Sequence, residues 1–400
     1  AAVGAFAGPA PLLHHARGAP IRVTRTGGMP YPQVLSQIER SDDALAHLSE
    51  TFGDTEDPTI IAMKAALETG DTMAFDIVET PQDGVAEVYH SIAGALVGEA
   101  QDNLTLIYAR MAMALRPDHV ESVLMTAELL ERLERYGLAT QVYDAVPRES
   151  AAFFDAEIGR AGALSRSGRD DAAIEVLKQL TESHGDLPNA HIALGDALRG
   201  MDRFEESVVA YDAAFERIDE VAEQHWIVYF ARAIAFERQG MWPEAEADFR
   251  ASLALRPEQP QVLNYLGYSF LELQTNLDEA LDMIERAAAL RPDAGHIIDS
   301  LGWGLYRVGR FEEAVGHMER AVELMPVDPV VNDHLGDVYW AVGRQREAEF
   351  QWHRALSFIT DDTNMNDIDP DRIRRKLEVG LDVVLEEEGA PPIELANDEG

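Results

Sequence analysis

The residue types that most often carry chemistry are either missing from this sequence of 400 residues or lack the spacing that the chemistry requires. There is no Cys, which excludes disulfides, a thiolate nucleophile and Cys-ligated zinc or iron–sulfur sites. The 12 His include no i, i+4 pair around a Glu, the pattern of helical zinc hydrolases. No Gly-Lys-Ser/Thr phosphate loop, dinucleotide-binding Gly-x-Gly-x-x-Gly unit or Gly-x-Ser-x-Gly elbow is present. The sequence predicts a protein that is not an enzyme and holds no cofactor or metal.

Carboxylates dominate the charge of the chain. Lys and Arg number 33 and Asp and Glu 72, for a net charge of −39. Such a charge repels phosphate backbones, so nucleic acid is not expected as a partner. One group of Asp residues, at 361, 362, 367, 369 and 371, suggests calcium, but its spacing does not match a calcium-binding loop. Paired carboxylates elsewhere are the background of an acidic chain and do not indicate a catalytic pair.

A repeat of 34 residues runs through most of the chain. Leu301-Gly302, Gly309, Ala314 and Ala321 recur 34 residues later as Leu335-Gly336, Gly343, Ala348 and Ala355. Earlier copies include Leu266-Gly267 with Ala280 and Ala287, where one residue is inserted near Thr275-Asn276, and Leu194-Gly195 with Ala214. A period of this length indicates stacked supersecondary units.

These residues resemble the tetratricopeptide repeat (TPR) family, whose unit is a helix–turn–helix. The frames are 86–119, 120–153, 154–187, 188–221, 226–259, 260–294, 295–328 and 329–362, with a further degenerate unit at 56–85. The resemblance implies an all-α solenoid, a right-handed superhelix of helix pairs. It covers about three quarters of the chain and is weakest before residue 120.

The last repeats are also similar to an exported bacterial TPR group. The shared segments are Leu263-Asn264-Tyr265-Leu266-Gly267-Tyr268 and Asp299-Ser300-Leu301-Gly302-Trp303-Gly304-Leu305-Tyr306. That group includes an outer-membrane lipoprotein that serves as adaptor for a carboxyl-terminal processing protease. A lipoprotein needs a Cys to carry its lipid, and this sequence has none.

Steric rules explain the repeating residues. Gly302 and Ala314 remove bulk where the two helices of a unit cross. Gly309 and Gly343 stand where a tight turn favours positive φ. Pro residues after the second helices, such as Pro326, end those helices. Neither helix pair can bury its apolar face alone, so neighbouring pairs must stack.

The resemblance also implies a binding groove, because in this class the first helices line the concave surface at unit positions 2, 5, 9, 12 and 13. Here those positions hold Asn264, Tyr268, Asp299, Trp303, Tyr306, Arg307, Asp333, Asp337 and Trp340. Aromatic anchors with a few polar groups are typical of a surface that binds an extended segment. The alternative is that Trp303 and Trp340 only fill space between repeats and that the Asp residues are solvated.

The charge pattern narrows the class of partner protein that is expected. TPR domains that bind a C-terminal carboxylate have Lys and Asn in the groove, whereas the only Lys residues here are Lys64, Lys178 and Lys376. A carboxylate clamp is therefore not expected. A protein partner with a basic or apolar segment is favoured, and salt should weaken its binding.

The two ends differ from the body. Residues 1–30 are basic and apolar, and Ala5-Phe6-Ala7 has the form of a signal-peptidase site, which predicts export to the periplasm or cell envelope. The alternatives are an extended arm or a disordered start in a cytoplasmic chain. Residues 31–85 are read as degenerate helices, 86–362 as eight repeats, 363–389 as a capping helix and 390–400 as a tail. The apolar stripe of that cap starts after Asp369-Pro370, a good N-cap and first-turn pair.

The sequence therefore predicts a non-enzymatic scaffold or adaptor that binds a partner protein in its groove, with an envelope protease or membrane complex as the candidate partner. The alternative function is a structural or assembly subunit bound permanently to a larger envelope complex.

Overall fold

The computed structural model describes residues 28–53, 58–73, 78–150, 152–360, 363–365 and 368–389. The predictions for residues 1–27, for Asp361, Asp362 and Asp367, and for the tail lie outside those ranges. Within them, all regular structure is helical, with 21 α-helices, one 3₁₀ turn and no strand. None of the described helices combines the length and the apolar character needed to cross a bilayer.

The chain divides into two compact units after Arg169, within the frame 154–187. The first unit contains α1 (Pro30–Gln37), α2 (Ser41–Phe52), α3 (Pro58–Glu68), α4 (Pro81–Leu96), α5 (Asp102–Leu115), α6 (Val120–Arg132), α7 (Tyr136–Tyr143) and α8 (Phe153–Arg166). Helices α1 to α3 enclose a small core of their own, which includes Leu35, Leu48 and Ile60. The described residues of the frame 56–85 contain α3 and only the start of α4, so this segment is not a pair of repeat helices.

The second unit contains α9 (Asp170–Ser183), α10 (Pro188–Gly200), α11 (Phe204–Phe215), α12 (Trp226–Arg238), α13 (Trp242–Leu255), α14 (Pro260–Glu272), α15 (Leu277–Leu290), α16 (Gly295–Arg307), α17 (Phe311–Leu324), α18 (Pro329–Ala341), α19 (Gln345–Phe358), α20 (Pro370–Val379) and α21 (Leu381–Glu387). Pairs of these helices stack in sequence order. One continuous apolar core runs from Ala233 to Leu381. This is the arrangement expected when no pair can bury its apolar face alone.

The turn inside each repeat has the same backbone conformation. Position 15 of the unit has positive φ in every described copy from residue 120 onward, and four of these residues are Gly168, Gly240, Gly309 and Gly343. The other three are Glu134, Asp202 and Gln274. A side chain in this left-handed region costs about 1–2 kcal/mol, so the stacking of the flanking helices must hold these three turns in place. In the repeat with the inserted residue, Asn276 takes a second left-handed position.

Small residues mark the helix crossings, as predicted. A methyl group at Gly302 would collide with the side chain of Met318 on α17. A methyl group at Gly336 would collide with the indole of Trp352 on α19. Ala314 is fully buried at its crossing. The close approach of these two helix pairs therefore depends on the absence of a side chain on the first helix.

The C-terminal segment forms two helices where the sequence predicted one. Asp369 caps α20 by accepting hydrogen bonds from the backbone N–H groups of Asp371 and Arg372. The helix ends at Gly380, which has a φ of 87°. This conformation breaks the apolar stripe into α20 and α21. Leu381 and Ile373, one on each helix, are both buried.

Candidate protein-binding face

The nine predicted groove residues lie on the first helices of three consecutive repeats. They are Asn264 and Tyr268 on α14, Asp299, Trp303, Tyr306 and Arg307 on α16, and Asp333, Asp337 and Trp340 on α18. We call the side of α14 and α16 that carries the first six the first-helix face. The last three residues contact the C-terminal helices α20 and α21, so the structure divides the predicted set in two.

Trp303 stands in a stack of three rings. Its indole lies 4.8 Å from the ring of Tyr306 on the same helix and 4.1 Å from the imidazole of His334 on α18, and both pairs are nearly parallel. Its Nε1 donates to Glu272 Oε1 of α14 at 3.4 Å. Trp303 remains half-buried, so part of the indole stays available to a partner. The stack fixes its orientation.

A buried contact between His334 and Asp299 supports this stack. His334 Nδ1 lies 3.1 Å from Asp299 Oδ2, and both side chains are about nine-tenths buried. Burial alone would lower the pKa of His334, but the carboxylate of Asp299, together with those of Asp333 and Asp337, raises that pKa. Burial, with Asp337 adding to it, also raises the pKa of Tyr306. Asp299 therefore positions the imidazole beneath Trp303 and is not a solvated groove residue.

The remaining residues of the first-helix face are polar and partly accessible. Arg307 Nη2 donates to the backbone oxygen of Leu271 at 3.5 Å, and Nη1 lies 3.9 Å from Glu272 Oε1. Tyr268 is half-buried. The amide oxygen of Asn264 is buried and accepts no hydrogen bond. The face thus combines one held indole with a carboxylate and a guanidinium.

Asp333 and Asp337 belong to a buried charge cluster with the C-terminal helix α20. Lys376 Nζ donates to Asp337 Oδ1 at 2.6 Å and to the two carboxylate oxygens of Asp333 at 2.8 and 2.9 Å. Asp337 and Lys376 are each 1% exposed. Asp337 also accepts from Trp352 Nε1 at 2.9 Å, and Arg372 Nη1 lies 3.5 Å away. These carboxylates hold the chain's own helix.

Trp340 makes a similar internal contact. Its indole Nε1 donates to Asp382 Oδ2 of α21 at 3.0 Å, and its ring lies 5.4 Å from that of Trp352. Gly380 approaches so closely that a methyl group there would collide with the Trp340 indole. Both observations agree with the alternative in which Trp340 fills space between helices.

Three contributors to these contacts were not among the predicted residues. Lys376 stood out only as one of three lysines, Glu272 is the last residue of α14, and no motif of the sequence pointed to His334. A comparison of unit positions could have found His334. It stands at position 6 of its repeat, directly after position 5, and Asp299 holds position 5 in the preceding repeat. Among the described residues, no group of His, Asp or Glu side chains could hold a metal ion.

Comparison with known proteins agrees with the helical repeats. A model of the tetratricopeptide repeat family matches residues 230–295. A TPR repeat-containing protein of Pseudomonas aeruginosa is 31% identical over 162 residues, which is 40% of this chain and 26% of the relative. A homologue of lipoprotein NlpI from Haemophilus influenzae is 35% identical over 91 residues, 22% of this chain and 28% of the relative. The chain thus spans little more than a quarter of the length of either relative.

A solved structure supports the fold over a longer stretch. The crystal structure of the APC/C hetero-tetramer Cut9–Hcn1 matches 88% of this chain and 75% of its own, with a TM-score of 0.52 and 12% identity. At this identity the likeness concerns the fold alone. TPR proteins mediate interactions between proteins, and the family is typically non-enzymatic. The period of 34 residues, the stacked helix pairs and these matches make the chain similar to the tetratricopeptide repeat family.

Proposed function

We propose that this protein is a non-enzymatic adaptor that holds a segment of a partner protein against the first-helix face. The observation that carries the proposal is the held indole of Trp303. Aromatic anchors fixed before binding lose little conformational entropy when a partner arrives, and they dominate the energy of many interfaces. Trp303 is fixed by Tyr306, His334 and Glu272 while part of its surface stays accessible.

The charge around this anchor favours a partner segment with apolar and basic residues. The Glu272 carboxylate is half exposed beside the indole, whereas the Arg307 side chain is only 24% exposed. The net charge of −39 attracts cationic segments over a longer distance. Association should therefore slow as salt screens this field.

We further propose that the protein acts in the bacterial cell envelope and presents its client to a processing protease or a membrane complex. Two observations support this location: the signal-peptidase pattern at Ala5-Phe6-Ala7 and the similarity to a lipoprotein of Haemophilus influenzae. Recovery of the protein from fractionated cells tests the location. A protein found only in the cytoplasm would contradict it.

Quantitative affinity capture tests the binding face. The full chain, Trp303→Ala and Phe350→Ala are each immobilised and incubated with solubilised envelope proteins, and the bound proteins are measured by mass spectrometry. Phe350 is the matched control, because it is an exposed aromatic residue on the second helix α19, outside the first-helix face. Loss of a central aromatic anchor costs about 2 kcal/mol or more, a fall of roughly thirtyfold in affinity.

The proposal predicts that Trp303→Ala loses the client and that Phe350→Ala keeps it, with both variants as helical as the parent by circular dichroism. A client bound equally by all three proteins would refute the first-helix face as the binding site. The alternative function, a permanent structural subunit, predicts that same retention and co-purification in a fixed ratio.

A further inference from the structure

The repeat formed by α4 and α5 exposes apolar side chains on the side where later repeats receive a neighbour. These residues are Val88 and Ile92 on α4 and Leu104 and Met111 on α5, and all four are exposed. We call this surface the end face. It belongs to the first unit and is separate from the first-helix face.

The third position of the repeat shows what normally covers such a surface. Val88 occupies this position and is 56% exposed. In the seven later frames the same position is at most 3% exposed, and its residues are Ser122, Ala156, Ala190, Val228, Val262, Ile297 and Val331. Ser122 Oγ lies 3.1 Å from His90 Nδ1 on the first helix of the preceding repeat. Position 3 therefore faces the preceding repeat, and the described residues leave Val88 exposed there.

Hydrogen bonds made by the second helix of a later repeat, α15, show independently which of its positions face the preceding repeat. At position 19, Glu279 accepts hydrogen bonds from Arg250 of the preceding repeat at 2.8 and 2.9 Å. At position 26, Arg286 donates to Glu258, again of the preceding repeat, at 2.7 Å. On α5 these two positions hold Leu104 and Met111.

Leu104 and Met111 are apolar at positions where a later repeat carries charged residues. This is the opposite of what an exposed end of a repeat array requires. Terminal repeats of a solenoid need a polar outer face to remain soluble. The preceding helices α1 to α3 close a core around Leu35, Leu48 and Ile60 and leave Val88 exposed. An exposed apolar surface in stacking register, uncovered by any of the described residues, indicates an interaction site.

We propose that the end face pairs with the end face of a second copy of this chain. Among the described residues of one copy, no helix pair covers this side of α4 and α5, and the α4–α5 pair of a second copy can cover it. A two-fold interface must be complementary to itself, and an uncharged apolar surface meets this condition. Two chains of net charge −39 repel each other wherever their carboxylates meet, so contact between copies requires a patch without charge. The four residues of the end face provide such a patch.

Sedimentation of the full chain tests the proposal. The patch is small, so we expect a reversible dimer that forms as the protein concentration rises over about 1 to 100 µM. Val88→Glu and Leu104→Glu each place a charge on the end face, and both variants should sediment at the monomer mass of 44.2 kDa. Both residues are exposed, so neither change should disturb the fold, which circular dichroism can verify.

Val209→Glu is the matched control. Val209 is 66% exposed on α11 in the second unit, so the variant adds the same charge to an exposed valine elsewhere and should keep the dimer. A wild-type chain that stays monomeric throughout would overturn the proposal. Dimers that persist in the end-face variants, or that the control also abolishes, would equally overturn it.

Chemical protection provides a second measurement, because the chain has no Cys of its own. A single Leu104→Cys variant should react more slowly with a maleimide at high protein concentration than at low concentration. Val209→Cys should react at the same rate at both. Equal rates for Leu104→Cys at the two concentrations would contradict burial of the end face between copies. Neither measurement depends on Trp303 or on a client.

Discussion

Replacement of Lys376 by Met should open the C-terminal helices. Met approximates the length of the lysine stem but carries no charge. The ammonium group it removes lies 2.6 Å from Asp337 Oδ1 and 2.8 Å from Asp333 Oδ1, and the Lys376 side chain is fully buried. Loss of one partner from a buried ion pair leaves the other charge without compensation, at a cost of about 3–5 kcal/mol.

The lower end of that range applies here. Arg372 remains 3.5 Å from Asp337 Oδ2, and the Asp333 side chain is 14% exposed, so each carboxylate keeps some stabilisation. A cost of roughly 3 kcal/mol multiplies the population of the opened state by about a hundred. Because stability in a stacked array is local, we expect this effect in α20 and α21 and in the last repeat, with little change in the first unit.

The effect of Lys376→Met should also depend on pH. Burial raises the pKa of Asp333, the Lys376 ammonium opposes this, and Asp337 adds to the rise. Without the ammonium group the pKa of Asp333 should rise further. The folded state then binds a proton on Asp333 more tightly than the unfolded chain does. The destabilisation is therefore largest at neutral pH and falls as the pH decreases towards the pKa of folded Asp333.

Hydrogen exchange measured by mass spectrometry on peptides from α20 provides the assay. Arg374→Met is the matched control, because Arg374 lies on the same helix and, within the described part of the chain, its ion pair is with Asp371, whose side chain is 90% exposed. Such surface pairs contribute little, so we expect less than about a threefold change in exchange for the control. Equal exchange in Lys376→Met and Arg374→Met would refute the view that the buried cluster holds α20 in place.

Three further predictions concern local structure. Glu134→Gly should raise the free energy of unfolding by about 0.5 kcal/mol in urea titrations, since Gly adopts the positive φ of that turn without steric cost. Gly336→Ala should lower it by about 1–3 kcal/mol, because the methyl group would displace the Trp352 indole; an unchanged urea midpoint would contradict this. Burial and the neighbouring His119 lower the pKa of His90, so the unfolded chain binds protons more readily there. Stability should therefore fall as the pH drops through about 6.5, and His90→Asn should flatten that dependence in urea titrations at pH 7.5 and 5.5.

The sequence was sufficient to predict features that depend on neighbours within one repeat. The positive φ at Gly309 and Gly343 and the crossing at Gly302 are steric requirements of residues a few positions apart. These requirements recur every 34 residues, and this recurrence makes them visible without a structure. The N-cap at Asp369 could also be predicted, because it involves only the next three residues.

Only the tertiary structure decided what covers each repeat. Lys376 reaches Asp333 across 43 residues, beyond the period of 34, because the segment after α19 is not a repeat. Its length and the break at Gly380 determine which side of α18 the C-terminal helices cover. The exposure of Val88 likewise depends on where α1 to α3 pack, which no residue near Val88 specifies. A repeat encodes its own helix pair, whereas the burial of its outer faces depends on the element that stacks against them.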